Sequence, residues 1–390
     1  MIKYPYARPD LNKDDKDAVA KSLNGQFLTG GSIINKFENK ISNKFKVKNA
    51  VVCNSGTAAL HLIYTSLGLK EGDAILTSPI TFVATANAAR MCKAEVVFAD
   101  VDPNTGLLTS NSVEYAIKAS KFKIKIITLV HLGGRLCDLE AISKVAKKYK
   151  CLIVEDACHA PGAIYYNSKK EASRVGSCRY SVASSFSFHA IKHITMAEGG
   201  CVTTNNISLA KKIRNKLNHA MIKNKDSKFI DPWFYQIKEL GWNYRASEIN
   251  CALGHSQLAR LNKLLKKRRQ IALTYKKELN KINCISFPKN SFNGNTNAWH
   301  LFTILIDFDS LKIKKRDIVK KLERKGIGTQ VHYIPIFLQP YYKHTYSSEF
   351  KGSMTYYKKN LSLPLYVSLN QKDIIYICKS IKSILEKNEK

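Results

Sequence analysis

Between about residue 50 and residue 205, short apolar runs alternate with stretches whose apolar positions recur every three or four residues. The runs at 50–53, 74–77, 95–98, 125–131, 151–155, 181–188 and 200–204 read as strands. The stretches between them read as helices. In 138–149, for example, Asp138 can cap, and Leu139, Ile142, Val145, Ala146 and Tyr149 make one stripe. Strands separated by helices predict an α/β fold with a mostly parallel central sheet covered on both faces. Cys151-Leu152-Ile153-Val154 is apolar on both alternations and reads as a central strand.

After residue 246 the pattern changes. Ile249, Leu253, Leu258, Leu261, Leu265 and Ile271 mark one long helix through about 277, a spine between two bodies. Beyond it, strands are predicted near 299–307 and 329–334, with helices near 315–325 and 371–387. The expected division is an N-terminal segment with a large domain over 1–245, a connecting helix over 246–280, and a smaller α/β domain over 281–390. A chain of 390 residues is long enough for two domains.

Composition narrows the class. There is no run of about 18 uncharged apolar residues and no leader pattern at the start, so the expectation is a cytoplasmic protein with no membrane span. The ten cysteines are scattered with no Cys-x-x-Cys, which fits a reducing compartment and no zinc knuckle. Cys158-His159 could suggest a metal, but in an extended segment adjacent side chains point opposite ways, so none is expected. The formal charge of +33 raises nucleic acid as a partner. The basic residues are spread along the chain, and the dense runs 266–269 and 312–316 adjoin helical patterns without interleaved aromatics. Solvated helix faces explain them, and nucleic acid is not expected.

Three local features could carry chemistry. In Val51-Val52-Cys53-Asn54-Ser55-Gly56-Thr57, a strand enters a turn and a helix follows, leaving free amides at the helix N-terminus where a phosphate can sit. A plain N-cap would look the same. In Val154-Glu155-Asp156-Ala157-Cys158-His159, acids end a buried strand, which is costly without a cationic partner; a protonated pyridine nitrogen is one, and a structural ion pair is another. In the stretch 185–200, Lys192 follows an apolar strand and precedes Gly199-Gly200, so its amine points inward. Partial burial lowers an amine pKa, as a lysine that condenses with a carbonyl requires.

The order of phosphate turn, Asp156 and Lys192 resembles the DegT/DnrJ-type sugar-nucleotide aminotransferases, pyridoxal-phosphate enzymes of the aspartate-aminotransferase fold (fold type I). The similar stretches run from Phe27-Leu28-Thr29-Gly30-Gly31 through Asn54 to Leu60, Pro79 to Ala84, Glu155 to His159, Ser187 to Lys192, and Asn243-Tyr244-Arg245, to Val331-His332-Tyr333 and Leu363-Pro364-Leu365. The resemblance implies a cofactor, pyridoxal 5'-phosphate, carried by Lys192 as a Schiff base. It implies that Asp156 pairs with the pyridine nitrogen, that His159 sits by the ring near its phenolic oxygen, and that Phe82 stacks on the ring face. Ser55, Gly56, Thr57 and Ser187 would hold the phosphate. Asn243 would reach the phosphate site of a neighbouring subunit, implying a homodimer with shared active sites. Tyr6, Phe27, Leu28, Thr29, His332 and Tyr333 match stretches lining the sugar-nucleotide cleft.

Within that family the pattern is most similar to the branch that aminates C4 in pseudaminic acid synthesis. The implied partners are a nucleotide-sugar substrate, a UDP-linked 4-keto-6-deoxy-N-acetylhexosamine, and an amino-acid donor such as glutamate. Another keto sugar would leave the motifs unchanged. His193, Met196 and Pro161 depart from the pattern beside the cofactor residues and bear on ring-pocket geometry. Some relatives are dehydratases with histidine at the lysine position; Lys192 argues for transamination.

Overall fold

The computed structural model describes residues 2–222, 231, 233–289, 294–345 and 350–388. Its centre is a seven-stranded sheet: β1 (Asn49–Cys53), β2 (Asp73–Thr77), β3 (Glu95–Phe98), β4 (Lys123–Val130), β5 (Leu152–Asp156), β6 (Ala183–Ser187) and β7 (Gly200–Thr204). The spatial order is β1-β7-β6-β5-β4-β2-β3. The pairs β2–β3, β2–β4, β4–β5 and β5–β6 are parallel, whereas β7 runs antiparallel to both β6 and β1. The sheet is therefore mostly parallel, as the alternating strand and helix signals require.

Helices cover both faces. Phe37, Ile41, Leu258 and Leu261 belong to the apolar layer on one side, and Leu60, Ile63, Ala89 and Ile213 to the layer on the other. Helix α1 (Gly56–Ser66) follows β1 with Ser55 as its N-cap, and α2 (Leu139–Lys148) begins where Asp138 accepts from the Ala141 amide. Helix α3 (Glu248–Leu279) contributes to two apolar clusters: Cys251, Leu258 and Leu261 pack in the sheet's core, and Ile271, Tyr275 and Leu279 in a separate C-terminal one. Tyr4 bridges to Ile327 and lies in that second core, so the chain's first residues pack against its last hundred.

The strand expected at 329–334 does not form. Only Gln330 makes a bridge, to Ser362, and Pro335 lacks the N–H that a continuing ladder needs. The ladder here is made by β8 (Ile285–Ser286), β9 (Phe302–Ile306) and β10 (Asn360–Leu363). Its third strand alternates polar and apolar residues for four positions only, and all four are buried. No helix among the described residues is long and apolar enough to cross a membrane.

Candidate active site

The carboxyl ends of β1, β2, β4, β5 and β6 open onto one chamber of about 570 Å³. In an open α/β sheet this is where loops diverge and leave room for a ligand. At the end of β1 the Ser55 hydroxyl accepts from the Ala58 amide and the Ser55 carbonyl from the Ala59 amide. The amides of Gly56 and Thr57 have no acceptor among the described residues, and both residues line the chamber. Two glycines keep this turn close to its neighbours. A Cβ on Gly56 would lie 2.9 Å from Cβ of Ser187, and one on Gly200 would lie 2.2 Å from the Ser55 carbonyl oxygen.

Asp156 ends β5 and is almost fully buried. Thr85 donates its hydroxyl hydrogen to Oδ2 at 2.7 Å, and the Cys158 amide donates to Oδ1 at 3.3 Å. With its proton committed, Thr85 accepts from Thr81, 2.9 Å away. Phe82 keeps 57% of its surface exposed on the chamber wall, 6.2 Å from the Tyr333 ring.

Cys158 and His159 do not follow the extended geometry expected of them. The strand stops at Asp156 and the chain turns, so both side chains line the chamber. Among the described residues no group of three or more His, Cys, Asp or Glu could hold a metal ion. His159 accepts the Gly133 amide at Nδ1, 3.2 Å, and its Nε2 lies 3.3 Å from the Tyr333 hydroxyl. Burial, with Lys192 nearby, pushes its pKa well below 6.5.

Lys192 lies in the turn after β6, its amide bonded to the His189 carbonyl at 2.9 Å. Burial lowers the pKa of its amine, while Cys158 and Asp156 pull the other way. It is the single lysine or arginine among the described residues that line the chamber, so the surplus of positive charge is not concentrated here. Its neighbour His193 turns away and bonds the Ala298 carbonyl at 2.8 Å.

Of the residues singled out from sequence, Ser55, Gly56, Thr57, Phe82, Asp156, His159, Ser187, Lys192, Tyr6, His332 and Tyr333 meet in this chamber. Phe27, Leu28 and Thr29 do not: they are exposed outside it, tied to the start of α3 through the Leu28 carbonyl and a Thr29–Ser247 bridge. Asn243 is also exposed and outside the chamber of its own chain. Burial lowers the His332 pKa to about 3, with Lys192 adding to the shift, and its Nδ1 meets the Ser362 hydroxyl at 2.9 Å. Sequence reading passed over Thr85, Gly133 and His300. Thr85 directly follows the similar stretch Pro79 to Ala84; Gly133 and His300 carried no local signal.

The chain matches the model of the DegT/DnrJ/EryC1/StrS aminotransferase family over residues 9–382. It is 37% identical over 386 residues to the UDP-4-amino-4,6-dideoxy-N-acetyl-beta-L-altrosamine transaminase of Campylobacter jejuni, covering 99% of this chain and 98% of that one. Helicobacter pylori PseC, an aminotransferase involved in the biosynthesis of pseudaminic acid, superposes with a TM-score of 0.89 at 32% identity, covering 98% and 99% of the two chains. The PLP form of a proposed sugar aminotransferase from Streptococcus pneumoniae superposes with a TM-score of 0.89 at 25% identity, over 98% of each chain.

Proposed function

Because the chain belongs to the DegT/DnrJ/EryC1/StrS aminotransferase family, whose members depend on pyridoxal phosphate, we propose that it transfers an amino group from glutamate to C4 of a UDP-linked 4-keto-6-deoxy-N-acetylhexosamine, in pseudaminic acid synthesis. The full-length likeness to a transaminase of that type carries the substrate assignment. The placement of Lys192 as the one amine among the described residues lining the chamber, with Asp156 beside it, supports the chemistry.

The chamber fits the cofactor. Two amides without acceptors among the described residues sit in a turn so close to Ser187 that position 56 has no room for a Cβ, which suits a phosphate held by backbone. A buried carboxylate fixed by two donors suits a protonated ring nitrogen, and Phe82 offers an uncovered ring face. When bound, pyridoxal phosphate supplies a carbonyl that captures amines and a ring that withdraws electrons from the donor carbon.

The protein's part follows from its residues. The turn 55–57 and Ser187 hold the phosphate. Asp156, kept in place by Thr85 and the Cys158 amide, keeps the ring nitrogen protonated. Phe82 covers the ring and excludes water, with His159 on the wall beside it. Lys192 would hold the cofactor through Nζ, and that atom, once free, would move a proton from the donor's α-carbon to the cofactor and, in the second half, from the cofactor to the sugar carbon that receives the amine. Tyr6, His332 and Tyr333 face the sugar. Asn243, exposed on its own subunit, reaches the phosphate site of a second copy, making the working unit a homodimer. The ten free cysteines fit work in the reducing cytoplasm.

The test is mass-spectrometric detection of product from a panel of UDP- and dTDP-linked 4-keto sugars with glutamate. The expected result is an amino sugar from the UDP-linked N-acetylhexosamine, formed only with glutamate and lost in Lys192→Ala. A deoxygenated sugar, or turnover by Lys192→Ala, contradicts the assignment.

A further inference from the structure

The hydrogen-bond chain behind the chamber wall has a direction that can be read donor by donor. The Gly133 amide meets Nδ1 of His159 at 3.2 Å. An amide only donates, so Nδ1 is the lone-pair nitrogen and the one proton of the neutral imidazole sits on Nε2. Burial keeps the ring neutral, with His300 packed 4.2 Å from its centroid and His193 5.3 Å from His300. Nε2 lies 3.3 Å from the Tyr333 hydroxyl oxygen. Because Nε2 carries the proton, the tyrosine oxygen accepts it. The hydroxyl's own hydrogen must then donate elsewhere.

No acceptor among the described residues takes that hydrogen, and Tyr333 lines the chamber that also holds Lys192, Asp156 and Phe82. Burial raises the phenol above its usual 10, so the hydrogen is present at working pH. What the donor lacks is an acceptor in the chamber. The keto substrate brings one at the reacting position, and polarising that oxygen is what makes its carbon open to an amine.

We propose that Tyr333 is the hydrogen-bond donor to the carbonyl oxygen of the keto sugar, aimed by the Gly133 amide and His159 as positioning groups. This rests on the chamber being the transamination site, and it gives Tyr333 a task beyond lining the cleft. Tyr333→Phe removes one oxygen and keeps the ring.

The experiment uses the holoenzyme in its pyridoxal form without amino donor, so that the ketone binds but cannot turn over. The probe is a UDP-linked 4-keto-6-deoxy-N-acetylhexosamine labelled with carbon-13 at C4, read by difference infrared spectroscopy. The wild type is expected to shift the bound carbonyl stretch to lower frequency, and Tyr333→Phe to abolish the shift. In turnover, Tyr333→Phe is expected to lower kcat about 100-fold, the scale of losing one preorganised donor, with little change in KM. Equal carbonyl stretches in the two proteins, or a rise in KM with kcat kept, overturn this inference alone. A wild type that binds no keto sugar overturns it together with the proposed function.

Discussion

The Thr85 hydroxyl donates to Oδ2 of Asp156 over 2.7 Å, with both side chains buried. A hydrogen bond to a buried carboxylate contributes about 1.5–3 kcal/mol, and here it also sets which way the carboxylate faces. Thr85→Val keeps the shape and removes the donor. It should raise the Kd for pyridoxal phosphate about tenfold and lower the Tm of the apoenzyme by a few degrees. Titration of the apoenzyme followed by absorbance checks this; an unchanged Kd contradicts it.

Desolvation lowers the Lys192 amine below 10.5, and the Asp156 carboxylate partly restores it. Capture of a carbonyl needs the unprotonated amine. The rate at which the apoenzyme captures pyridoxal phosphate should therefore rise with pH to a midpoint below 10.5. Asp156→Asn removes a group that favours the ammonium, so the midpoint should move lower still. Stopped-flow measurements across pH decide it. A midpoint at 10.5, or one that rises in Asp156→Asn, is the opposing result.

Arg268 is buried in the middle of α3, where Nη1 reaches the carbonyls of Trp299, His300 and Leu365 at 3.2, 3.3 and 3.2 Å. Burial lowers its pKa to about 10, so it remains charged at neutral pH. It ties the spine to the strand entry that carries His300. Arg268→Met leaves the three carbonyls without that donor and should lower the Tm of the apoenzyme by about 5 °C. A Tm equal to that of the wild type means the clamp adds no stability.

Asn243 faces outward on its own chain, which makes a pairing test informative. Lys192→Ala and Asn243→Ala should each be inactive alone. Mixed and allowed to exchange subunits, they should regain part of the activity, because a mixed dimer holds one site with both residues native. No recovery on mixing contradicts the shared site.

What was legible in the chain was local. The turn at Ser55–Thr57, Asp156 at a strand end and Lys192 between an apolar strand and a Gly-Gly pair each carry their signal within a few residues, and all three line the chamber. What failed was conformation at the ends of elements. Cys158 and His159 turn rather than continue the strand, and 329–334 stops short of pairing at Pro335. Nor could the back wall be read, because His159 meets Gly133, His300 and Tyr333 only through the fold. Phe27 to Thr29 and Asn243 carry family-like motifs, yet in the single chain they are exposed and lie outside the chamber.

The central claim is that Lys192 holds the cofactor and hands an amino group from an amino acid to a keto sugar. Borohydride reduction followed by peptide mass mapping tests this in one measurement. The holoenzyme should show the cofactor fixed to the peptide bearing Lys192. Prior addition of glutamate should prevent the fixation, and later addition of the UDP-linked 4-keto sugar should restore it. Fixation on another lysine, or a pattern indifferent to glutamate and keto sugar, would contradict the account.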